Sequence, residues 1–578
     1  MNSVVLRNFL KILYGLDYWY ENSLTHKFAK SLLNIAKNSA IFRFIAKENV
    51  GEYSSFVLGI PLKLTEKLIA VTKKFFLYLA ALNNASINKK IFVGFVSFMS
   101  AIPHSFLAKV ALGSIPGRFL CWLLDISPQI KYHKHANTAL LTFFFAIAAL
   151  SFLFPFHIVL VAFLGLGFVV LTFANISLSF ALFVMGMVLV PHHLWSNMFI
   201  LGAAVFFWGV FAIQYFLGKN NGVDKRYISA SLLLYVFFCI VSLFTGFGGM
   251  DSVRVATILF SAIALGILAI NIIDTKAKLQ NIAVLIFGSV VITSLYGLWL
   301  FHMGIEIRAD FVDILANVGL PGRLHSTIIN PNNYAKFLTM MLPICAAYAF
   351  TAKGNLRKFI FAMLLVPAIA ALALTFSRIS YLAIFGIVGT CVLLIKPRLI
   401  PVGIALAILS IPFVPDVILM RLSTIGTDSS SLYRLWIWEG SWRTVQNYWS
   451  QGIGIGPQAF TLIYRAHAHE MAGNAMHAHN VLLNVWIEVG IGGLIAVAIY
   501  NLSTLKHGIH TFLRDNTPHR YYLVALVSAL VGFLMFSVVE HVWFYPRTML
   551  TYFIITGLLW SCVRMASLQN PKKEQKQA

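Results

Sequence analysis

Charge is scarce in this sequence. Of 578 residues only 11% are Asp, Glu, Lys or Arg, where a soluble protein would average about a quarter. Acidic residues are scarcer still, 20 against 44 Lys and Arg, for a formal net charge of +24. No stretch reads as a soluble catalytic domain. Cysteine is also sparse. Cys239, Cys345, Cys391 and Cys562 fall inside apolar runs and Cys121 lies upstream, so all five read as small apolar residues, with no CxxC motif and no spaced disulfide framework. The opening "MNSVVLRNFLKILYG" has neither a clean apolar core nor a small-residue cleavage site, so no cleavable signal peptide is expected.

What the chain has in abundance is apolar length. Hydrophobic residues make up 59% and the mean hydropathy is +0.80. Apolar runs of 17 to 23 residues recur, each long enough to cross a hydrocarbon core of ~30 Å. The expected fold is an all-α polytopic membrane protein with about 12–14 transmembrane helices. Fourteen spans are expected, at 138–154, 157–174, 176–191, 196–217, 228–247, 253–273, 279–301, 333–351, 359–376, 379–395, 398–414, 481–503, 521–540 and 547–563.

The distribution of cations orients these spans. Seventeen Lys/Arg, eleven of them lysine, fall in alternate loops and in the C-terminal stretch from Arg564 through the basic tail 566–578; the opposite side has ten cations, of which only Lys336 is not arginine. The lysine-rich side reads as cytoplasmic, with both termini there. The arginine-rich side has two long loops, 302–332 and 415–480, where function is expected to sit. Arginine binds phosphate and carboxylate through a planar two-pronged group, so the expected substrate carries phosphate. Residues 1–137 differ from the transmembrane domain 138–565: they hold seventeen Lys/Arg against six Asp/Glu, with lysines mixed among apolar residues as in "KLTEKLIAVTKKFFLYLAAL". Such stretches read as amphipathic helices on an anionic membrane surface; a small helical domain packed on the membrane part is the alternative. Segment 91–111 is apolar enough to re-enter or span.

Four features in the outer loops carry chemistry. "TDSSSLYRLWIWEGSWRTVQNYW" reads as a helix with N-cap hydroxyls at Ser429 to Ser431, and Glu439 and Arg443 four residues apart can pair. Arg434 has no acidic partner at its helical neighbour positions, so it is either solvated among lipid headgroups or an anion binder. Arg378 in "TFSRISYL" stands between two apolar runs; it either snorkels or faces the bundle interior as a site residue. "QGIGIGPQAF" reads as a flexible turn returning the chain to the membrane, not as a dinucleotide loop, because no strand precedes it and Pro457 follows the last glycine. Finally, "GNAMHAHNVLLNVWIEVGIGG" places His477 and His479 directly before an apolar run, with His467 and His469 ten residues upstream. Their spacing does not fix a tetrahedral metal site, so no metal is assigned. A neutral imidazole, titrating near pH ~6.5, can instead take a proton from a sugar hydroxyl. Asn480 can cap the helix that begins there, which sets His479 at the membrane surface.

Together these residues resemble the O-antigen ligase family, which is grouped with O-antigen polymerases. His479–Asn480, nine residues, then Gly490 and Gly493 match its H-[NSQ]-x9-G-x-x-G frame, and Arg378 with Leu382 its R-x3-L frame. Arg434 matches the family's loop arginine by position. "GRLHSTIINPNNYA", with Arg323, Asn330, Pro331 and Asn332, is similar to the family's pattern before a span, and Gly454 and Gly456 to its G-x-G turn. The resemblance covers about residues 280–560 and does not reach 1–137.

The resemblance implies a reaction: a glycan moves from an undecaprenyl-diphosphate carrier to an acceptor hydroxyl outside the cytoplasmic (inner) membrane of a bacterium. It implies His479 as catalytic base and Arg378 and Arg434 as diphosphate ligands, with Arg323, His477 and Asn480 as further substrate contacts. It also implies an inverting, metal-independent mechanism without a cofactor. The expected partners are the lipid-linked donor, a lipid- or glycan-linked acceptor and membrane lipids, with no nucleic acid. The alternative is an O-antigen or exopolysaccharide polymerase, followed by a protein oligosaccharyltransferase or a lipid-linked glycan flippase.

Overall fold

The fold was analysed in a computed structural model, which describes residues 73–74, 110–111, 113–125, 136–304, 322–423 and 425–569. Most of the amphipathic region 1–137, nearly all of the apolar segment 91–111, the middle of the first outer loop and the basic tail from 570 lie outside the described residues. Among the described residues the protein is all-α, without a strand.

The helices are α1 (Ile115–Leu123), α2 (Ala136–Ser151), α3 (Phe156–Ala174), α4 (Ile176–Leu189), α5 (Met198–Phe216), α6 (Ala230–Thr245), α7 (Gly249–Ile272), α8 (Lys276–His302), α9 (Pro331–Thr351), α10 (Asn355–Leu374), α11 (Arg378–Ile395), α12 (Ile400–Ser410), α13 (Asp416–Ser423), α14 (Ser429–Tyr448), α15 (Pro457–Tyr464), α16 (Val481–Arg514), α17 (Arg520–Ser537) and α18 (Pro546–Gln569). Every expected span coincides with a helix. Among the described residues ten helices are long and apolar enough to cross a membrane; α2, α4, α6 and α12 are shorter, at 16, 14, 16 and 11 residues. At a rise of ~1.5 Å per residue, these four fall short of a full hydrocarbon core unless flanking turns complete them.

Protein buries 78% of the apolar window of α9, 83% of α18 and 72% of both α7 and α17, but 17% of α11 and 11% of α3. The four well-covered helices therefore form the centre, and α3 and α11 present apolar side chains such as Phe385 to hydrocarbon. Small residues bring the central helices together: a Cβ on Gly557 of α18 would stand 2.3 Å from the Gly266 carbonyl oxygen of α7. Without water to drive helices together, such close backbone approach supplies packing energy in a membrane.

Loop 415–480 folds into α13, α14 and α15 on one end of the bundle. The glycine-rich stretch is a buried strap rather than the flexible turn its composition suggests: Ile453 and Ile455 are at most 3% exposed. Its backbone pairs with a kink in α16, Ile453 N–H donating to the Ile487 carbonyl (2.8 Å), Gly454 N–H to Glu488 (3.0 Å) and Ile491 N–H back to Trp449 (2.9 Å). The kink is at Gly490, with φ +79°, and a Cβ there would lie 2.1 Å from the Ser450 carbonyl oxygen. Side-chain-free backbone at 490 is thus what lets the loop seat itself on the membrane helix. At the opposite end of α9, Asp125, just past α1, pairs with Lys353 (2.6 Å) and Arg357 (2.9 Å).

Candidate functional site

A cavity of about 380 Å³ opens where loop 415–480 meets the bundle, lined by Arg323, Arg378, Arg434 and Glu540 among others. Asn332 from the first turn of α9, Arg378 and Ile379 from that of α11, and Ser430 and Ser431 from that of α14 also line it. Three helix N-termini therefore converge here. Their macrodipoles add positive potential to that of the arginines.

Backbone strain marks the same place. The described non-glycine residues with positive φ are Asp125, Ile329 (+65°), Phe376 (+49°) and His479 (+47°). Ile329, Phe376 and His479 each stand directly before the N-cap of a site helix: Asn330 of α9, Ser377 of α11 and Asn480 of α16. A left-handed residue costs about 1–3 kcal/mol and persists only where the surroundings hold it. Two of these caps are well made. Asn330 Oδ1 accepts from the N–H groups of Asn332 (2.9 Å) and Asn333 (3.2 Å), with Pro331 at N1; Asn480 Oδ1 accepts from Leu483 N–H (2.9 Å).

Each arginine is engaged by the protein. Arg378 meets Asp428 two-pronged, at 2.6 and 2.7 Å. Asp428, rather than the following serines, is the N-cap residue of α14, and its carboxylate turns to Arg378 and to Ser431 Oγ (2.5 Å). Burial alone would raise that carboxyl, but the hydrogen bonds from Arg378 and Ser431 outweigh it and hold it below the usual range. Arg323 donates from Nε to the Thr375 carbonyl (2.9 Å) and from Nη2 to Asn332 Oδ1 (2.6 Å). Arg434 donates to Ser430 Oγ (2.8 Å) and to Glu540 Oε1 (2.6 Å). The acidic partner missing from its own helix is thus supplied by the segment between α17 and α18.

Glu540 gathers the rest of the site. It is 7% exposed, and its Oε2 takes a hydrogen bond from Lys336 Nζ (3.2 Å). His479 Nδ1 lies 3.7 Å from Oε1. Burial pushes this carboxyl up, but Lys336, Arg434 and His479 overcome it, and it sits well below the ordinary carboxylate range. Sequence reasoning misses Glu540 and leaves Lys336 as an unexplained lysine among outer arginines. The signal exists in both cases: a carboxylate in the apolar stretch "FSVVEHVWF" and a lysine in "NNYAKFLTM", each too costly to bury unless paired.

The histidines divide into two groups. His477 and His479 pack with ring centroids 4.1 Å apart, and His477 leans on Phe544 (4.3 Å). The His479 N–H donates to His477 Nδ1 (3.2 Å). Burial, then the neighbouring His479 and His541, hold the His477 ring well below its ordinary titration range; burial and Lys336 push His541 down to about 3. His541 Nε2 sits 3.3 Å from Asn484 Nδ2. Asn480 ties the start of α16 to the end of α17 through Nδ2 and the Val538 carbonyl (2.9 Å). His467 and His469 lie elsewhere: His467 Nε2 meets Asn447 (2.8 Å), and His469 stacks on Trp436 at 5.4 Å.

Of the expected site residues, Arg323, Arg378 and Arg434 share one cavity, His479 reaches it through Glu540, His477 stands behind His479, and Asn480 works as a cap. Arginines and helix N-termini gathered around one cavity of an all-α membrane protein suit it to hold an anionic group. Residues 335–498 match the family model for O-antigen ligase. That segment is of the O-antigen ligase family, and the match supports a membrane glycosyltransferase-like enzyme of ligase or polymerase type. The match spans Lys336, Arg378, Asp428, Arg434 and His479 and ends before Glu540. No curated protein matches the chain.

Proposed function

We propose that this protein is a ligase: it moves a glycan from an undecaprenyl-diphosphate carrier to an acceptor hydroxyl on the extracytoplasmic face of a bacterial cytoplasmic membrane, with both termini in the cytoplasm. Arg378 and Arg434 hold the diphosphate and offset the charge that grows on it as it leaves. Arg323 supports the same anion. His479 removes the proton of the acceptor hydroxyl. The acceptor attacks the anomeric carbon from the side opposite the diphosphate, so the configuration inverts. Arginine charge serves where other diphosphate enzymes use a divalent ion, and no metal enters the scheme.

The observation that carries this reading is the convergence of Arg323, Arg378 and Arg434 on one cavity whose lining carboxylate, Glu540, lies 3.7 Å from His479. Asp428 and Glu540 occupy two of the arginines, so an entering diphosphate exchanges with them and releases neither charge into a dry site unpaired.

A deletion strain tests the acceptor. Short uncapped acceptor lipid, with long glycan accumulating on its carrier, means ligase; single-repeat glycans on the acceptor mean polymerase. Single cysteines at Ser86 and Ser450, in a background without native cysteines, test the face. An impermeant thiol reagent on intact spheroplasts is expected to label position 450 and spare position 86. The reverse pattern puts His479 in the cytoplasm and ends the proposal.

A further inference from the structure

Glu540 has no part in the transfer scheme beyond its exchange with the diphosphate, yet it is the most heavily engaged acid in the site. One oxygen does two things. Oε1 accepts from Arg434 Nη2 at 2.6 Å and faces His479 Nδ1 at 3.7 Å. The second distance is too long for a hydrogen bond, and His479 Nδ1 is buried without any partner. His519 and His541 also bury an Nδ1 without a partner; that of His479 is the one that faces a carboxylate oxygen within 4 Å. The other oxygen, Oε2, is anchored by Lys336 at 3.2 Å, and Lys336 is itself steadied by Asn333 Oδ1 at 3.1 Å.

We propose that Glu540 is the positioning acid for His479, and that the donor diphosphate, by taking over Arg434, frees Glu540 Oε1 to accept the His479 Nδ1 proton. The inference rests on His479 acting as the base. With Oε2 held on Lys336, a swing of about 1 Å at Oε1 brings Nδ1 within hydrogen-bond range. That contact fixes the tautomer with hydrogen on Nδ1 and the lone pair on Nε2, the logic of a base oriented by a third group. The strained backbone of His479 (φ +47°) and its contact with His477 keep the ring from following some other partner.

The groups around His479 leave this task to Glu540. Lys336 from α9 and Arg434 from α14 are cations. His477 spends Nδ1 on the His479 backbone N–H, and His541 is turned to Asn484 through Nε2, its own Nδ1 buried without a partner. In the transfer step the acceptor O–H proton passes to Nε2. The oxygen's electron pair forms the bond to the anomeric carbon, and the diphosphate departs with the pair of the broken bond, held by Arg378 and Arg434. The imidazolium so formed faces the Glu540 carboxylate. Until the donor arrives, Arg434 holds that carboxylate away from the ring, so the base is complete only when there is a glycan to transfer.

The test uses the full-length protein in proteoliposomes with a lipid-linked glycan donor. Glu540→Gln removes the charge and keeps the shape. Its kcat is expected to fall by ~10²-fold or more, while KM for the donor stays level or drops, because Arg434 loses a competing carboxylate. In wild type the acid limb of the kcat profile, which reports the donor-bound enzyme, should lie at higher pH than that of kcat/KM, which reports the free enzyme. In Glu540→Gln that gap should narrow. Glu540→Asp should restore charge but not reach, with an intermediate kcat. An unchanged kcat and unchanged gap in Glu540→Gln overturn the proposal. Should Glu540→Gln fail to insert, Glu540→Asp decides, and wild-type kcat there overturns it equally. His479→Ala separates the two ideas: full activity in that variant sinks the base assignment itself, whereas an inactive His479→Ala beside an unaffected Glu540→Gln sinks the positioning role alone.

Discussion

Two H-x-H pairs stand ten residues apart in this chain and have opposite surroundings. His467 and His469 lie on the surface of the folded outer loop, against Asn447 and Trp436. His477 and His479 lie against the segment that follows α17, beside Glu540 and Phe544. Spacing and residue type are the same. What differs is that the second pair is drawn to the start of α16 by the Asn480 cap and to the cavity by Glu540. Two arginines of α14 repeat the lesson. Arg443 pairs with Glu439 in its own helix at 2.5 Å, both about half exposed, while Arg434 pairs across the fold with a buried glutamate. An i,i+4 partner satisfies an arginine locally; a partner on another element ties it to a site.

The largest effect that could break this contrast is at the histidines. His479→Ala is expected to lower transfer by ~10²–10⁴-fold with the protein still in the membrane, measured as product formed per inserted protein, while His467→Ala keeps activity within a few-fold. Equal losses in the two variants, reversed by added metal after chelation, would join the pairs into one metal site.

Next come the arginines. Arg378→Lys and Arg434→Lys keep charge but lose the planar fork, and each is expected to cost on the order of 10- to 10²-fold in turnover, less than removal of a whole oxyanion donor. Wild-type turnover in either would show that a point charge suffices. The backbone supplies a third test. Gly490→Ala adds a Cβ 2.1 Å from the Ser450 carbonyl oxygen at φ +79°. Strain of about 1–3 kcal/mol, apart from the clash, should lower the melting temperature in detergent and loosen the strap, seen as faster proteolysis within 449–457. Melting and cleavage equal to wild type would mean the kink relaxes freely. The smallest effect is at the exposed pair. Arg443→Ala should change stability by no more than ~1 kcal/mol and leave turnover level; a loss matching that of Arg434→Lys would erase the contrast between the two arginines of α14.

Much of the fold is legible in the order of residues alone. Apolar run length decides that helices form and roughly where, because each run must satisfy its own backbone hydrogen bonds in hydrocarbon. The cap at Asn480 and the Glu439–Arg443 pair are legible because both act within four residues along the chain. The glycine strap reads as flexible and is not, because glycine composition describes an isolated loop and not one pinned on the Gly490 kink. Region 1–137, whose lysines read as interfacial, lies for the most part outside the described residues.

By itself the sequence determined the helical membrane fold, the asymmetry of lysine and arginine between the two sides, and the candidacy of Arg378, Arg434 and His479. These follow from local rules: hydropathy, charge and helix ends. Only the tertiary structure decided which of those residues meet, and that Lys336, Asp428 and Glu540 meet them. Glu540 is 204 residues from Lys336 and 106 from Arg434 along the chain. No periodicity links positions so far apart. They are brought together because α9, α16, α17 and the outer loop bury their apolar faces on one another, and the charges left at that junction must then find one another or remain unpaired.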